Sequence, residues 1–258
     1  VLLKLKEPFD LGQLNVEIRG SIGVSFFPED GTDSATLLRC ADIAMYKAKS
    51  SPGGIVSYRD DINDNSPRRL AIMASLASSL KNNDFYLCFQ PKVNLKENKI
   101  KSCEALIRWD HPELGLVSPG EFIPLAEMSD SIILVTEWVI DQALIQIKKW
   151  LETDLLVKVS INVSTRNLLD ENLIPFLSNK LIEYEVPSHL LEVEITESAL
   201  MADPERALET LNKISALGVS ISVDDFGTGY SSLVYLRQLP LDTLKVDITF
   251  VRNMCQNE

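Results

Sequence analysis

Glu104, Asn162, Glu194, Asp224 and Lys245 are polar residues that each fall inside an apolar, strand-like stretch. Counted by alternation along those stretches they share one face, the pattern a metal site at the mouth of a parallel barrel requires. The densest piece is Val223-Asp224-Asp225-Phe226-Gly227-Thr228-Gly229-Tyr230-Ser231-Ser232, where two adjacent carboxylates end an apolar strand and lead into a glycine-rich turn. Any one of these acids alone reads equally well as a solvated loop charge. Clustered and buried, Glu104, Glu194, Asp224 and Asp225 would repel one another and bind protons more tightly unless a cation sat among them. Carboxylate oxygens with one amide, from Asn162, suit magnesium or manganese better than zinc. Adjacent Asp224 and Asp225 could serve two ions, an arrangement that activates water and stabilises charge at a phosphate under in-line attack. Lys245 could orient that water or neutralise a phosphoryl oxygen; its plainer reading is a pair with Asp225 or Asp247. Arg108 could fork onto a phosphate or form a structural salt bridge.

The elements that must position these residues alternate between strand and helix, the signature of a parallel α/β architecture. Strands are predicted at Phe85–Gln90, Ile100–Trp109, Val157–Val163, Leu191–Thr196, Val219–Asp224 and Leu244–Asp247. Period-two phasing groups Ser102, Glu104 and Arg108; Ser160 and Asn162; Glu192, Glu194 and Thr196; Ser220, Ser222 and Asp224; and Lys245 with Asp247. These faces should line the lumen, while Val159, Ile161, Val193 and Ile195 meet outer helices. One helix is bounded by Asp203-Pro204 at its start and Gly218 at its end, with Leu208, Leu211, Ile214 and Leu217 on one face. Catalytic residues of parallel barrels gather at the C-terminal strand ends, where most of these polar residues fall.

Residues 1–60 read as a separate small unit. An alternating strand over Val16–Val24 is followed by a Pro28-Glu29-Asp30-Gly31 turn and a helix striped by Leu37, Leu38, Ala41, Ala44, Met45 and Ala48. Its basic end, Lys47 and Lys49, precedes Pro52-Gly53-Gly54. The polar stretch Asp60–Pro67 places a boundary, so residues 61–80 read as linker and helix and 81–258 as the main domain.

With 258 residues, 45% of them hydrophobic, the chain can bury a substantial core. A formal net charge of −12 argues against a nucleic-acid polymer as partner, because that grip needs a basic patch. Cys40, Cys88, Cys103 and Cys255 lie far apart and His111 and His189 lack clustered partners, so neither a disulfide framework nor a zinc site is expected, and both histidines read as surface residues. A reducing cytoplasm fits such cysteines. No apolar run approaches the ~18 residues of a membrane span. A chain that opens on Val1 rather than methionine reads as a piece of a longer one, and that longer protein could itself be membrane-attached.

Glu104-Ala105-Leu106 followed by Ile107-Arg108-Trp109 resembles the signature of the EAL family of cyclic di-GMP phosphodiesterases. The resemblance continues through Ser118-Pro119-Gly120-Glu121-Phe122-Ile123-Pro124, Ile161-Asn162-Val163-Ser164, Glu194-Ile195-Thr196-Glu197-Ser198, the Asp224–Ser232 run and Leu244-Lys245-Val246-Asp247. The Asp225-Phe226-Gly227 triplet also matches a protein-kinase metal motif, but no Gly-rich loop or His-Arg-Asp loop precedes it. Ser21-Ile22-Gly23-Val24 and Ala41–Lys49 resemble the trailing part of a GGDEF diguanylate cyclase domain, without its signature loop. The EAL resemblance implies a TIM-barrel-like (β/α) domain preceded by an α+β GGDEF remnant. It implies Mg2+ or Mn2+ held by Glu104, Asn162, Glu194 and Asp224, with Asp224 and Asp225 serving a second ion. It also implies that Lys245 contacts the catalytic water, Gln90 and Arg108 contact cyclic di-GMP, and Glu197 holds the loop after Asp225, through which a homodimer could form. The family continues past its sixth strand with two further strand and helix units, one carrying a glutamate for the second ion; here the sequence stops at Glu258, so an incomplete barrel is expected. Two activities follow from the resemblance: hydrolysis of cyclic di-GMP to the linear dinucleotide, or binding of the same ligand by an inactive module.

Overall fold

The computed structural model describes residues 9–10, 15–16, 20–49, 55–58, 67–227 and 237–251. The chain divides into two compact units, Val1–Ala71 and Ile72–Glu258.

In the first unit β1 (Phe9–Asp10) pairs antiparallel with β2 (Asn15–Val16), and β3 (Ile22–Val24) pairs parallel with β4 (Ile55–Ser57). Between β3 and β4 runs α1 (Ser34–Lys49), entered through Asp33, whose carboxylate accepts the Thr36 N–H at 2.9 Å. Cys40, Ala44 and Ala48, four residues apart, are buried positions of α1. Leu38, read as part of that stripe, is 71% exposed and faces solvent. Gly23 brings β3 against the helix: a Cβ there would stand 2.0 Å from the Ala41 carbonyl oxygen. The single strand expected over Val16–Val24 is divided between β2 and β3, with residues 17–19 outside the described ones. The Pro52-Gly53-Gly54 stop and all of the Asp60–Pro67 boundary stretch except Pro67 also lie outside them.

The second unit is built on one sheet. Its strands are β5 (Phe85–Asn94), β6 (Lys99–His111), β7 (Gly115–Val117), β8 (Lys158–Asn162), β9 (Leu191–Thr196), β10 (Ser220–Phe226) and β11 (Thr243–Val246). Their spatial order is β11-β10-β9-β8-β6-β5, with β7 beside β6. From β6 through β8, β9 and β10 to β11 every pairing is parallel. Two strands depart from this parallel pattern: β5 and β7 pair antiparallel with β6. Residues 95–98 are too short for the crossover that parallel neighbours need, so they close a hairpin. Asn94 shapes it by accepting the N–H groups of Lys96 and Glu97 at 3.0 and 3.1 Å.

Helices α2 (Pro67–Lys81), α3 (Pro119–Glu127), α4 (Ser131–Leu151), α5 (Thr165–Leu168), α6 (Leu173–Glu183), α7 (Glu197–Ala202), α8 (Pro204–Ala216) and α9 (Ile248–Val251) accompany these strands. Val159, Ile161, Val193, Ile195, Ile221 and Val223 project from the sheet into one buried cluster with Leu144 and Ile147 of α4, Leu177 of α6 and Leu211 and Ile214 of α8. Strands β8, β9 and β10 therefore turn their β-branched side to the helices and their polar side to the lumen. At one edge Phe85 stacks on Trp109 with ring centres 4.7 Å apart, and Phe122 meets both edge-on. Helix α8 starts where the sequence marks it: Asp203 accepts the Arg206 N–H at 3.2 Å, and Gly218, at φ +83°, follows its end.

His111 is buried rather than superficial, because its polar atoms are satisfied inside. Its Nδ1 accepts the N–H groups of Glu113 and Leu114 at 3.0 and 3.2 Å, and its Nε2 lies 2.9 Å from the Ser75 hydroxyl. His189 is exposed, and Cys40, Cys88 and Cys103 are free thiols. Among the described residues, no helix is long and apolar enough to cross a membrane.

Candidate metal centre

Register turns the lumen faces into layers. Glu104 of β6 lies beside Ser160 of β8, Ser160 beside Glu192 of β9, and Glu192 beside Ser220 of β10. One layer up, Asn162, Glu194 and Ser222 align, and Asp224 stands beside Thr196. Glu104, Glu194 and Asp224, from three strands, converge so that ligand oxygens lie within 4.8 Å of one another. Asn162 joins them by donating its amide to Glu104 at 2.9 Å. The Glu194 side chain is wholly buried, whereas Glu104 and Asp224 retain 17% and 23% exposure, leaving the cluster open on one side.

Lys245 of β11 enters this cluster. Its Nζ donates to Glu104 at 3.1 Å, Glu194 at 2.5 Å and Asp224 at 2.6 Å, in place of the simple pair with Asp225 or Asp247 that the sequence allowed. Burial alone would lower the lysine's pKa, but the hydrogen bonds to Asp224 and Glu194 and the charges of Glu194 and Glu104 outweigh it, so the ammonium titrates above the ordinary lysine range. Asp225 is not one of the three converging acids: it is exposed, holds φ +55°, and donates its N–H to Asp224 at 2.8 Å. Its carboxyl is pushed above the usual range by desolvation, then by the charges of Asp224 and Asp247, with Lys245 opposing. Glu197, at the start of α7, accepts the Gly227 N–H at 2.9 Å and so fastens the turn that follows Asp225. Residues 228–236, the loop that the resemblance links to dimerisation, lie outside the described ones.

Arg108 lines a cavity of about 420 Å3 together with Pro119, Ile123, Thr136, Asn162 and Glu194, so this cavity opens beside the carboxylates. Its guanidinium donates to the carbonyl of Ile107 at 2.8 Å, and among the described residues no salt bridge holds it. Gln90 is exposed on β5 opposite Glu104 but does not line that cavity.

Sequence reasoning missed Lys92. This residue of β5 donates to Ser160 at 2.5 Å, to Glu192 at 3.4 Å and, more closely, to Glu194. Beneath it Lys158 donates to Ser220 at 2.7 Å and approaches Glu192 at 3.9 Å. The signal was present, since Lys92 continues the alternation of Cys88 and Gln90, one residue past Pro91. Glu104, Glu192, Glu194 and Asp224 are thus set against Lys92, Lys158 and Lys245, leaving a net negative charge that Asp225 increases. An oxygen-only donor set with residual negative charge fits a hard divalent cation, and no soft ligand lies among the three converging acids.

The chain is 37% identical to the bifunctional diguanylate cyclase/cyclic di-GMP phosphodiesterase MucR of Pseudomonas aeruginosa over 98% of its length, and 36% identical over 98% to the cyclic di-GMP phosphodiesterase PdeR of Escherichia coli. It spans 37% and 38% of those proteins. Among solved structures, the PaMucR phosphodiesterase in complex with c-di-GMP superposes with a TM-score of 0.68 at 37% identity, over 72% of this chain and 76% of that one. The FimX EAL domain from Pseudomonas aeruginosa, bound to c-di-GMP, shares the fold at TM-score 0.66 and 24% identity, over 72% of this chain and 74% of that one. Residues 1–54 match the diguanylate cyclase GGDEF domain model. Residues 73–258 match the EAL domain model, and the chain belongs to the EAL domain family, whose fold is TIM-barrel-like.

Proposed function

We propose that the second unit hydrolyses cyclic di-GMP to the linear dinucleotide with magnesium or manganese. The observation that carries this reading is the convergence of Glu104, Glu194 and Asp224 beside Asn162 at the open end of the parallel strands. In this reading those four residues hold one divalent ion, and Asp224 with Asp225 holds a second. Bound there, the ions would supply an acidified water and offset charge at the phosphorus. Lys245 hydrogen-bonds the attacking water and keeps its own proton, consistent with its raised pKa. Arg108 and Gln90 bind the dinucleotide, and Glu197 keeps Asp225 in place through Gly227. Divalent ions with Arg108 offset the repulsion between an anionic ligand and a chain of net charge −12. The same reading includes a homodimer through the loop after Asp225, a cytoplasmic setting, and residues 61–80 as the link between a GGDEF-like part and the EAL domain.

Chromatography of the linear product tests the proposal. Turnover is expected with manganese, to be abolished by chelator, and to fall at least 100-fold in Glu104→Ala and Asp224→Asn. Tight cyclic di-GMP binding without linear product at saturating manganese would replace hydrolysis with reception, and sedimentation tests the dimer.

A further inference from the structure

We propose that Lys92 is a positioning residue that holds Glu194 from behind, so that this carboxylate turns a single oxygen, Oε2, toward the cation site. The proposal rests on the metal-dependent reading above. Glu194 is the buried member of the acidic trio, and its two oxygens have different neighbours. Oε2 faces the Lys245 ammonium, which also touches Glu104 and Asp224, so this oxygen belongs to the converging set. Oε1 faces the opposite way and takes the Lys92 ammonium.

Lys92 is itself fixed. An ammonium has three donors, and those of Lys92 reach Ser160, Glu192 and Glu194. The Ser160 hydroxyl passes the constraint on by donating to Glu192 at 2.8 Å. Lys92 therefore ties the antiparallel strand β5 to β8 and β9 directly beneath the candidate ligands. Without it Glu194 could rotate its carboxylate or turn it toward Lys245, and Glu192 would lose its nearer cation.

The location of the two lysines gives opposite expectations. Lys245 occupies the oxygens an ion would use, so it competes with the ion. Lys92 occupies the oxygen facing away, so it supports the ligand. A counter-charge acting only at a distance would weaken cation binding, and removing it would tighten that binding; a residue that orients the ligand does the reverse.

Manganese titration by calorimetry decides between them. Lys92→Met is expected to bind Mn2+ about 10- to 100-fold more weakly than wild type, the usual loss when the partner of a metal ligand is removed. The double variant Lys92→Met, Glu192→Gln removes the uncompensated inner carboxylate and so preserves folding, yet should remain as weak. Glu192→Gln alone should stay within about twofold of wild type. Affinity in the folded double variant equal to or tighter than wild type would overturn the role of Lys92. Absence of manganese binding by the wild-type protein would overturn the metal reading itself, a distinct result.

Discussion

Lys245→Met should destabilise the metal-free protein and make manganese a stronger stabiliser than it is in wild type. The ammonium lies 3.1, 2.5 and 2.6 Å from three carboxylates, one of them with no exposed side-chain surface. At an effective dielectric near 20, opposite charges about 4 Å apart attract by about 4 kcal/mol, before desolvation is subtracted. Removing one partner from a buried ion pair costs about 3–5 kcal/mol, because the other charge stays behind. Lys92 still neutralises Glu194, and Glu104 and Asp224 reach solvent, so the low end applies, about 3 kcal/mol. For a unit of this size that corresponds to a melting point lower by about 6–12 °C. A divalent ion entering the vacated cluster meets three carboxylates without a competing ammonium, so added Mn2+ should recover more of the melting point in the variant than it adds to wild type. Turnover should fall about 10²- to 10⁴-fold nevertheless, since the group assigned to the attacking water is gone. Melting scans in chelator and in manganese, paired with the product assay, give both readings. A loss of stability that manganese does not reverse would show that Lys245 braces the sheet rather than the ligand cluster, and unchanged turnover would remove it from the chemistry.

The lumen was legible in the sequence because a strand's period of two is set by backbone geometry alone. Ser220, Ser222 and Asp224 alternate with Ile221 and Val223, and the structure buries both apolar residues against helices. Convergence was a separate matter: that Glu104, Glu194 and Asp224 meet depends on register between strands far apart in the chain, which alternation within one strand does not encode. Strand β5 shows the limit most clearly. The strand read from the sequence ends at Gln90, before Pro91, yet the strand runs on to Asn94 as an edge, where a missing N–H costs no ladder partner on its outer side. Stopping at Gln90 hid both the hairpin and Lys92. His111 was misplaced for a related reason: a polar residue is buried when backbone donors happen to reach it, and those donors come from the turn after β6.

Gly227→Ala should lower turnover by disturbing the turn after Asp225. Gly227 holds φ +99°, and a Cβ would stand 2.6 Å from the Phe250 ring, so the Glu197 contact should be displaced at a local cost of about 1–3 kcal/mol; activity retained at wild-type level would show that this turn does not set the site. Cys103 sits in β6 next to Glu104. Desolvation pushes its thiol from 9.0 to about 11, with Lys92 opposing. At pH 8 iodoacetamide should therefore modify exposed Cys88 while leaving Cys103 untouched, as read by mass spectrometry. The same shift has a thermodynamic sign: between pH 9 and 11 the unfolded chain releases a proton that the folded one retains, so the folded state loses stability as the pH rises. At about 1.4 kcal/mol per unit the loss amounts to about 2–3 kcal/mol over that window. Cys103→Val should lack this component, so the stability difference between wild type and variant should be constant below pH 9 and shift against wild type above it. A difference independent of pH, or ready alkylation of Cys103 at pH 8, would show that the β6 thiol is not shielded by the core cluster in which it lies.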